Sequence, residues 1–195
     1  MSMTMTAQEH KERTARSYKL LLLFAMGSMT MMFAGIVSAF VVSKSREDWM
    51  KDFEFPTAFY FSTIAIILCS VTFHLAKKAM QKDNRQATTG LLLLTLALGI
   101  GFVFCQFKGF HQLMDGGYYF TGAESNITTT FLYVIASLHL AHLAGGIISL
   151  LIIIYNHFKQ KYNSTQLLGI ELGAMYWHFL DFLWICLFLF LYFFK

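Results

Sequence analysis

The chain is expected to be an all-α integral membrane protein, a bundle of five antiparallel transmembrane helices, and three observations carry that expectation. Of its 195 residues 56% are hydrophobic and 13% charged, about half the charge of an ordinary soluble domain. It contains a single proline, so long helices can run without interruption. Five apolar stretches each reach the roughly 20 residues that a helix needs to cross hydrocarbon, at about residues 18–43, 55–77, 86–111, 126–158 and 166–194. In lipid every backbone amide must find its partner inside its own segment, which makes helices of such runs. One membrane domain over residues 18–195, preceded by a polar segment 1–17, accounts for the whole chain.

The polar start carries Lys11, Arg13 and Arg16. The apolar run behind it is too long for a signal-peptide core and shows no small-residue cleavage site, so the first span is expected to stay in the product. Gly27, Ala34 and Gly35 lie in that span. The second span is followed by a brief turn, Gln81 to Arg85, too short for anything but an antiparallel partner. The third contains Gly99, Gly101 and Gln106, and leads into a Gly-rich loop, Asp115 to Ser125. Asn126-Ile-Thr128 matches a glycosylation sequon, but its place at the start of the fourth span reads as a helix N-cap. The fourth span holds Ala144, Gly145 and Gly146, small residues that let helices approach closely. The fifth is heavily aromatic, with Tyr192, Phe193 and Phe194 suited to an interfacial belt.

Lysine and arginine are distributed unevenly between the two ends of the spans. Lys11, Arg13, Arg16, Lys19, Lys77, Lys78, Lys82, Arg85, Lys159 and Lys161 fall on one side, against Lys44, Arg46, Lys51, Lys108 and Lys195 on the other. Ten against five predicts a cytoplasmic N-terminus and a C-terminus outside. The same flanking positions account for the net charge of +4, so nucleic-acid binding is not expected. Cys69, Cys105 and Cys186 each lie in a different span with no paired spacing, which indicates neither a disulfide framework nor a cysteine metal site.

Against this background the ionisable groups of the fourth and fifth spans stand out. A charge at a bilayer centre costs about 2.5–3.5 kcal/mol on insertion scales, so such groups need partners. His139 and His142 are three residues apart, as are His178 and Asp181, and Glu171 lies seven before His178. Seven residues leave an angular offset of about 20° and three about 60°, so each set can share a helix face. Two readings compete. In one, His139, His142, Glu171 and His178 supply nitrogen and oxygen to a metal ion, making a stand-alone membrane metalloenzyme. In the other, these residues with Asp181 and Gln106 form a hydrogen-bonded structural cluster that fixes helix register. A small transporter using Glu171 or Asp181 as proton carrier is a third class, but the chain has no repeats or broken helices. The expectation is the structural cluster, with no catalytic or metal-binding residue in the chain.

The pattern Glu171-x6-His178 within Tyr176-Trp177-His178-Phe179-x-Asp181-x-x-Trp184, preceded by His139-x-x-His142-x3-Gly146, resembles subunit III of the haem-copper cytochrome c oxidases. Thr95-x3-Gly99-x6-Gln106 in the third span and Phe33-Ala34-Gly35 in the first extend the resemblance over essentially the whole chain. Five spans correspond to the short bacterial form, which lacks the first two helices of the seven-helix version. The resemblance implies a non-catalytic accessory subunit of a respiratory oxidase that reduces oxygen to water and pumps protons. It implies packing against subunit I, with subunit II in the same complex and phospholipids held between helices. Haem and copper would sit in the partner subunits, none in this chain, and the location would be the bacterial cytoplasmic (inner) membrane. Two family acids are replaced, one by Met29 beside Ser28 and one by Gly109, so any role of those acids is not carried over.

Overall fold

The computed structural model describes residues 7–46, 49–50, 55–122, 125–164 and 166–194. Lys51 and Lys195, counted above in the charge balance, lie outside the described residues. Among the described residues five helices long and apolar enough to cross a membrane follow one another: α1 (Ala7–Val42), α2 (Thr57–Gln81), α3 (Arg85–Asp115), α4 (Ile127–Phe158) and α5 (Leu168–Phe194). A single 3-10 turn, Ser43–Ser45, follows α1, and no strand is present among the described residues.

Most helices outrun the apolar stretches from which they were anticipated. From residue 7 onward the polar start is helical and continuous with the first span. Its Gln, Glu, Lys and Arg residues propagate a helix as well as Leu does, and nothing in a charged turn stops one. For the same reason α2 continues beyond Lys77 to Gln81 and α3 beyond His111 to Asp115. Apolar counting measures the hydrocarbon crossing, whereas the helix ends at its caps. Asn126 caps α4 as expected, its side chain accepting from Thr129 N at 3.0 Å. Asn84 does the same for α3 through Ala87 N at 3.1 Å, after a turn in which Asp83 takes the left-handed conformation (φ 52°). α2 has no cap of its own. Gln112 on α3 reaches across to accept from Ala58 N at 3.2 Å.

α2 and α3 pair along their length, α3 packs on α4, and α5 packs on both α4 and α2. These four form a closed ring, and α1 lies outside it in the groove between α4 and α5. Burial follows that arrangement: 44% of the α5 span is buried and only 6% of the α1 span. α1 is held by residues seven apart on one stripe. Phe33 packs against His142 (ring centroids 5.7 Å), and Phe40 against Trp49, Phe131 and Phe190 at 4.8, 5.7 and 5.6 Å. Because lipid is as apolar as phenylalanine, packing contacts, not the removal of surface from water, hold such a helix.

One end of the ring is strapped across its loops. Arg85 donates to the Tyr162 carbonyl at 2.8 Å, Ser164 N donates to Asp83 at 2.8 Å, and Thr89 Oγ1 meets His157 Nε2 at 2.8 Å. Burial raises the Tyr162 phenol above its ordinary pKa, with a hydrogen bond to Asn156 opposing it.

Candidate functional site

α2 supplies the hydroxyl groups on which the bundle's polar interior is built. In a helix each Ser or Thr can give its proton to a carbonyl one turn back and still accept from a neighbouring helix. Ser62 donates to the Phe59 carbonyl at 2.9 Å and accepts from Gln106 Nε2 of α3 at 3.0 Å. Thr63 donates to the same carbonyl at 2.8 Å and accepts from Trp184 Nε1 of α5 at 3.1 Å. Two turns further on, Cys69 Sγ donates to the Thr95 carbonyl at 3.2 Å, and the Thr72 and Thr95 hydroxyls lie 2.9 Å apart. Ser70 bonds His178 Nδ1 at 2.6 Å. Residues 62, 63, 69, 70 and 72 thus form a stripe whose partners alternate between α3 and α5.

The predicted polar residues divide among several sites. Glu171 pairs with Lys19 of α1 at 2.7 Å, both groups about a third exposed. His178 turns to Ser70 on α2, with the His74 ring 6.1 Å away. His142 donates its Nδ1 proton to its own helix at Leu138 O, 2.7 Å, and its ring faces Phe33. His139 is fully buried between Trp184 and Phe102, with ring centroids at 5.0 and 5.9 Å, and neither ring nitrogen has a hydrogen-bond partner. Asp181 is 2% exposed and its carboxyl oxygens are equally without one. The physical reason for this division is the central place of α5. With α2, α4 and α1 packed around it, residues about 60° apart on its surface meet different neighbours. Among the described residues no group of three or more His, Cys, Asp or Glu is arranged to hold a metal ion.

The aromatic residues of the fifth helix complete the packing. Trp177 crosses the bundle: a Cβ at Gly99 of α3 would stand 3.1 Å from its ring, and one at Gly146 of α4 3.3 Å. Those two glycines are the space into which the indole fits. Tyr176 donates to the His142 carbonyl at 3.1 Å, and Phe179 packs against the core. Gly109, where an acid was noted as missing, is filled from the other side. A Cβ there would lie 2.5 Å from the Phe59 ring, so the close approach of α2 and α3 leaves no room for a carboxyl.

Ser62, Thr63, Ser70 and Thr72 were not singled out from the sequence, nor was Lys19 as a partner. Their signal is weak but present: hydroxyl residues seven and eight apart, which in an apolar helix mark the face that meets other helices.

A family model described as cytochrome c oxidase subunit III matches residues 2–195. Cytochrome bo(3) ubiquinol oxidase subunit 3 of Pseudomonas putida is 28% identical over 126 residues, covering 65% of this chain and 59% of that protein's length. Cytochrome c oxidase subunit 3 of Thermostichus vulcanus is 27% identical over 175 residues, 88% of this chain and 84% of the relative. The subunit 3 of Spodoptera frugiperda is 30% identical over 131 residues, 67% and 85% respectively.

Proposed function

The chain belongs to the cytochrome c oxidase subunit III family, and from that premise we propose that it is the non-catalytic accessory subunit of a proton-pumping haem-copper oxidase reducing oxygen to water. The observation that carries the proposal is a match running through all five helices, without a stretch left over for a centre of another kind. In this role the chain packs against subunit I, with subunit II in the same complex, and haem and copper reside in those partners. Its N-terminus lies on the cytoplasmic side of a bacterial inner membrane.

Two features support the supporting role. Glu171, His178 and His142 each bond a different partner and His139 lies apart between aromatic rings, so among the described residues the four do not converge on one ion. A largely apolar groove of about 530 Å³ runs between α1, α4 and α5, lined by Leu22, Met29, Gly145, Ile152 and Gly173 and edged by Tyr176. Phospholipid acyl chains fit such a groove. The subunit thereby maintains the lipid and protein surroundings of proton uptake in subunit I and slows inactivation during turnover. Relatives named for cytochrome c and for ubiquinol have a similar subunit 3, which supports a reading in which the choice of electron donor belongs to subunit II.

The test is to tag the chain, extract it in mild detergent, and record the reduced-minus-oxidised visible spectrum and metal content of what accompanies it. Haem and copper in a large complex, absent once the chain is separated from it, are the expected result. A haem-free chain that retains stoichiometric metal of its own overturns the proposal.

A further inference from the structure

Of the three bonds that strap the charged end of the ring, two join a charged side chain to backbone. The third joins Thr89 of α3 to His157 of α4, an imidazole only 5% exposed. The threonine settles where the protons lie. Thr89 Oγ1 also stands 2.9 Å from the Arg85 carbonyl one turn back, to which it donates its single proton. It therefore accepts from His157, which makes the imidazole the Nε2–H tautomer and leaves a bare lone pair on Nδ1. With the hydroxyl donating to Nε2 instead, a buried Nδ1–H would be stranded, the costlier arrangement. Nδ1 has no hydrogen-bond partner.

The groups around the ring decide what a second proton would meet. From the start of α3 Arg85 acts on it electrostatically, while its guanidinium donates to the Tyr162 carbonyl. Asp83, in the turn before α3, is engaged with Ser164 N. In the connection to α5 the Lys159 ammonium lies over the Tyr155 ring, 4.6 Å from its centroid, and Lys161 is exposed. A proton on Nδ1 would thus create a buried cation near a guanidinium, with an N–H that has nothing to donate to. Water is within reach of a turn of the side chain. His157 is the next-to-last residue of α4, and Phe158, Lys159 and Gln160 after it are exposed. A ring that turns outward still sits at the C-terminus of α4, which favours a cation.

We propose that His157 is an acid-sensitive latch between the α2–α3 and α4–α5 hairpins, closed while the ring is neutral and released when the ring takes a second proton. The proton bonds to Nδ1, and the ring gains one positive charge and both of its N–H groups. The ring then leaves Thr89 and gives those N–H groups to water. The bonds from Arg85 to Tyr162 and from Ser164 to Asp83 stay in place, so the hairpins remain tethered. The response is a local opening of the two connections, not a separation of the bundle. Loss of the proton restores the bare Nδ1 and the bond to Thr89. A static clamp would use the same Thr89–His157 contact but would hold equally at every pH.

The latch lies within this chain whichever complex it joins, so its test needs no oxidase activity. The full chain is placed in phosphatidylcholine vesicles, and backbone hydrogen exchange of residues 82–89 and 159–164 is followed by mass spectrometry at pH 8 and pH 5.5. That interval spans the ordinary imidazole range and stays above that of carboxylates. His157→Gln, whose amide can donate to Thr89 but takes up no proton, represents the closed latch. Thr89→Val, which keeps the shape and deletes the hydroxyl, represents the open one. All three chains are compared at the same pH, so the intrinsic effect of pH on exchange cancels. The unaltered chain is expected to match His157→Gln at pH 8 and Thr89→Val at pH 5.5, a gain of about five- to tenfold in exchange relative to His157→Gln, the ratio that one hydrogen bond sets. An unaltered chain whose ratios to both variants are the same at the two pH values, or move the other way, overturns the proposal, whatever the absolute protection of either variant.

Discussion

Gly109→Ala should weaken the bundle although it places a better helix former on a helix. The new methyl group would stand 2.5 Å from Phe59 Cε1 and 2.9 Å from Cδ1, and the obstacle is a stiff ring buried on α2, 1% exposed. Real side chains do not approach so closely, so Phe59 must turn or α2 must move away from α3. Phe59 is held in turn by Phe55, Phe110 and Trp184, with ring centroids at 5.5, 6.3 and 6.1 Å, so the displacement spreads. Overpacking of this kind costs about 1–3 kcal/mol, against a gain of about 1 kcal/mol from helix propensity. Gly101→Ala is the control. It lies on the same helix with nothing within 4 Å of the added atom, so it keeps the propensity gain and pays no steric cost. The difference between the two variants is therefore about 1–3 kcal/mol, with Gly109→Ala the less stable. The assay is reversible unfolding in mixed micelles by increasing SDS fraction, followed by loss of tertiary tryptophan signal. Equal stability of the two variants would refute the reasoning. So would failure of Phe59→Leu to relieve Gly109→Ala in a double-mutant cycle, since coupled neighbours must show a non-additive term.

Three further outcomes are expected. Phe40→Ala removes the contacts with Trp49, Phe131 and Phe190 and should loosen α1 while α2 to α5 stay associated, measured as loss of crosslinking between cysteines placed in α1 and α5. Lys19→Met should cost no more than about 1 kcal/mol, because the pair it makes with Glu171 is substantially exposed; a larger loss in the same SDS titration would mean that the pair is sealed in the assembled protein. Trp184→Phe deletes the donor to Thr63 and keeps most of the ring, so a loss near 1 kcal/mol is expected, and Thr63→Val should lose a similar amount without adding to it in the double variant.

The helices themselves were legible because hydrocarbon imposes one solution on an apolar run, and the cap at Asn126 was legible because the chemistry of a helix start is local. The partners of the polar residues were not. His178 and Glu171 share a face on α5 as their spacing requires, yet one meets Ser70 on α2 and the other Lys19 on α1. Spacing fixes an angle on a residue's own helix, and which neighbour fills that angle is decided by the order of packing around α5. Lys19 was read for membrane orientation and turned out to be an ion-pair partner, a reminder that a flanking charge can serve both ends. The missing acid at Gly109 showed in the sequence as an absence, and only the distance to Phe59 supplies its cause.

The position of α1 outside the ring bears on how the protein is made. The helices it packs on are the last two of the chain, so Phe33 and Phe40 leave the ribosome about a hundred residues ahead of His142 and Phe131. At the usual pace of synthesis that interval is roughly 5–20 s, during which α1 must dwell in the bilayer as a solitary span. Its apolar circumference, which contributes little to the finished bundle, is what makes that wait tolerable. Lys19 stays near the membrane boundary until Glu171 arrives, and closure of that pair can take place only after the final helix has been inserted.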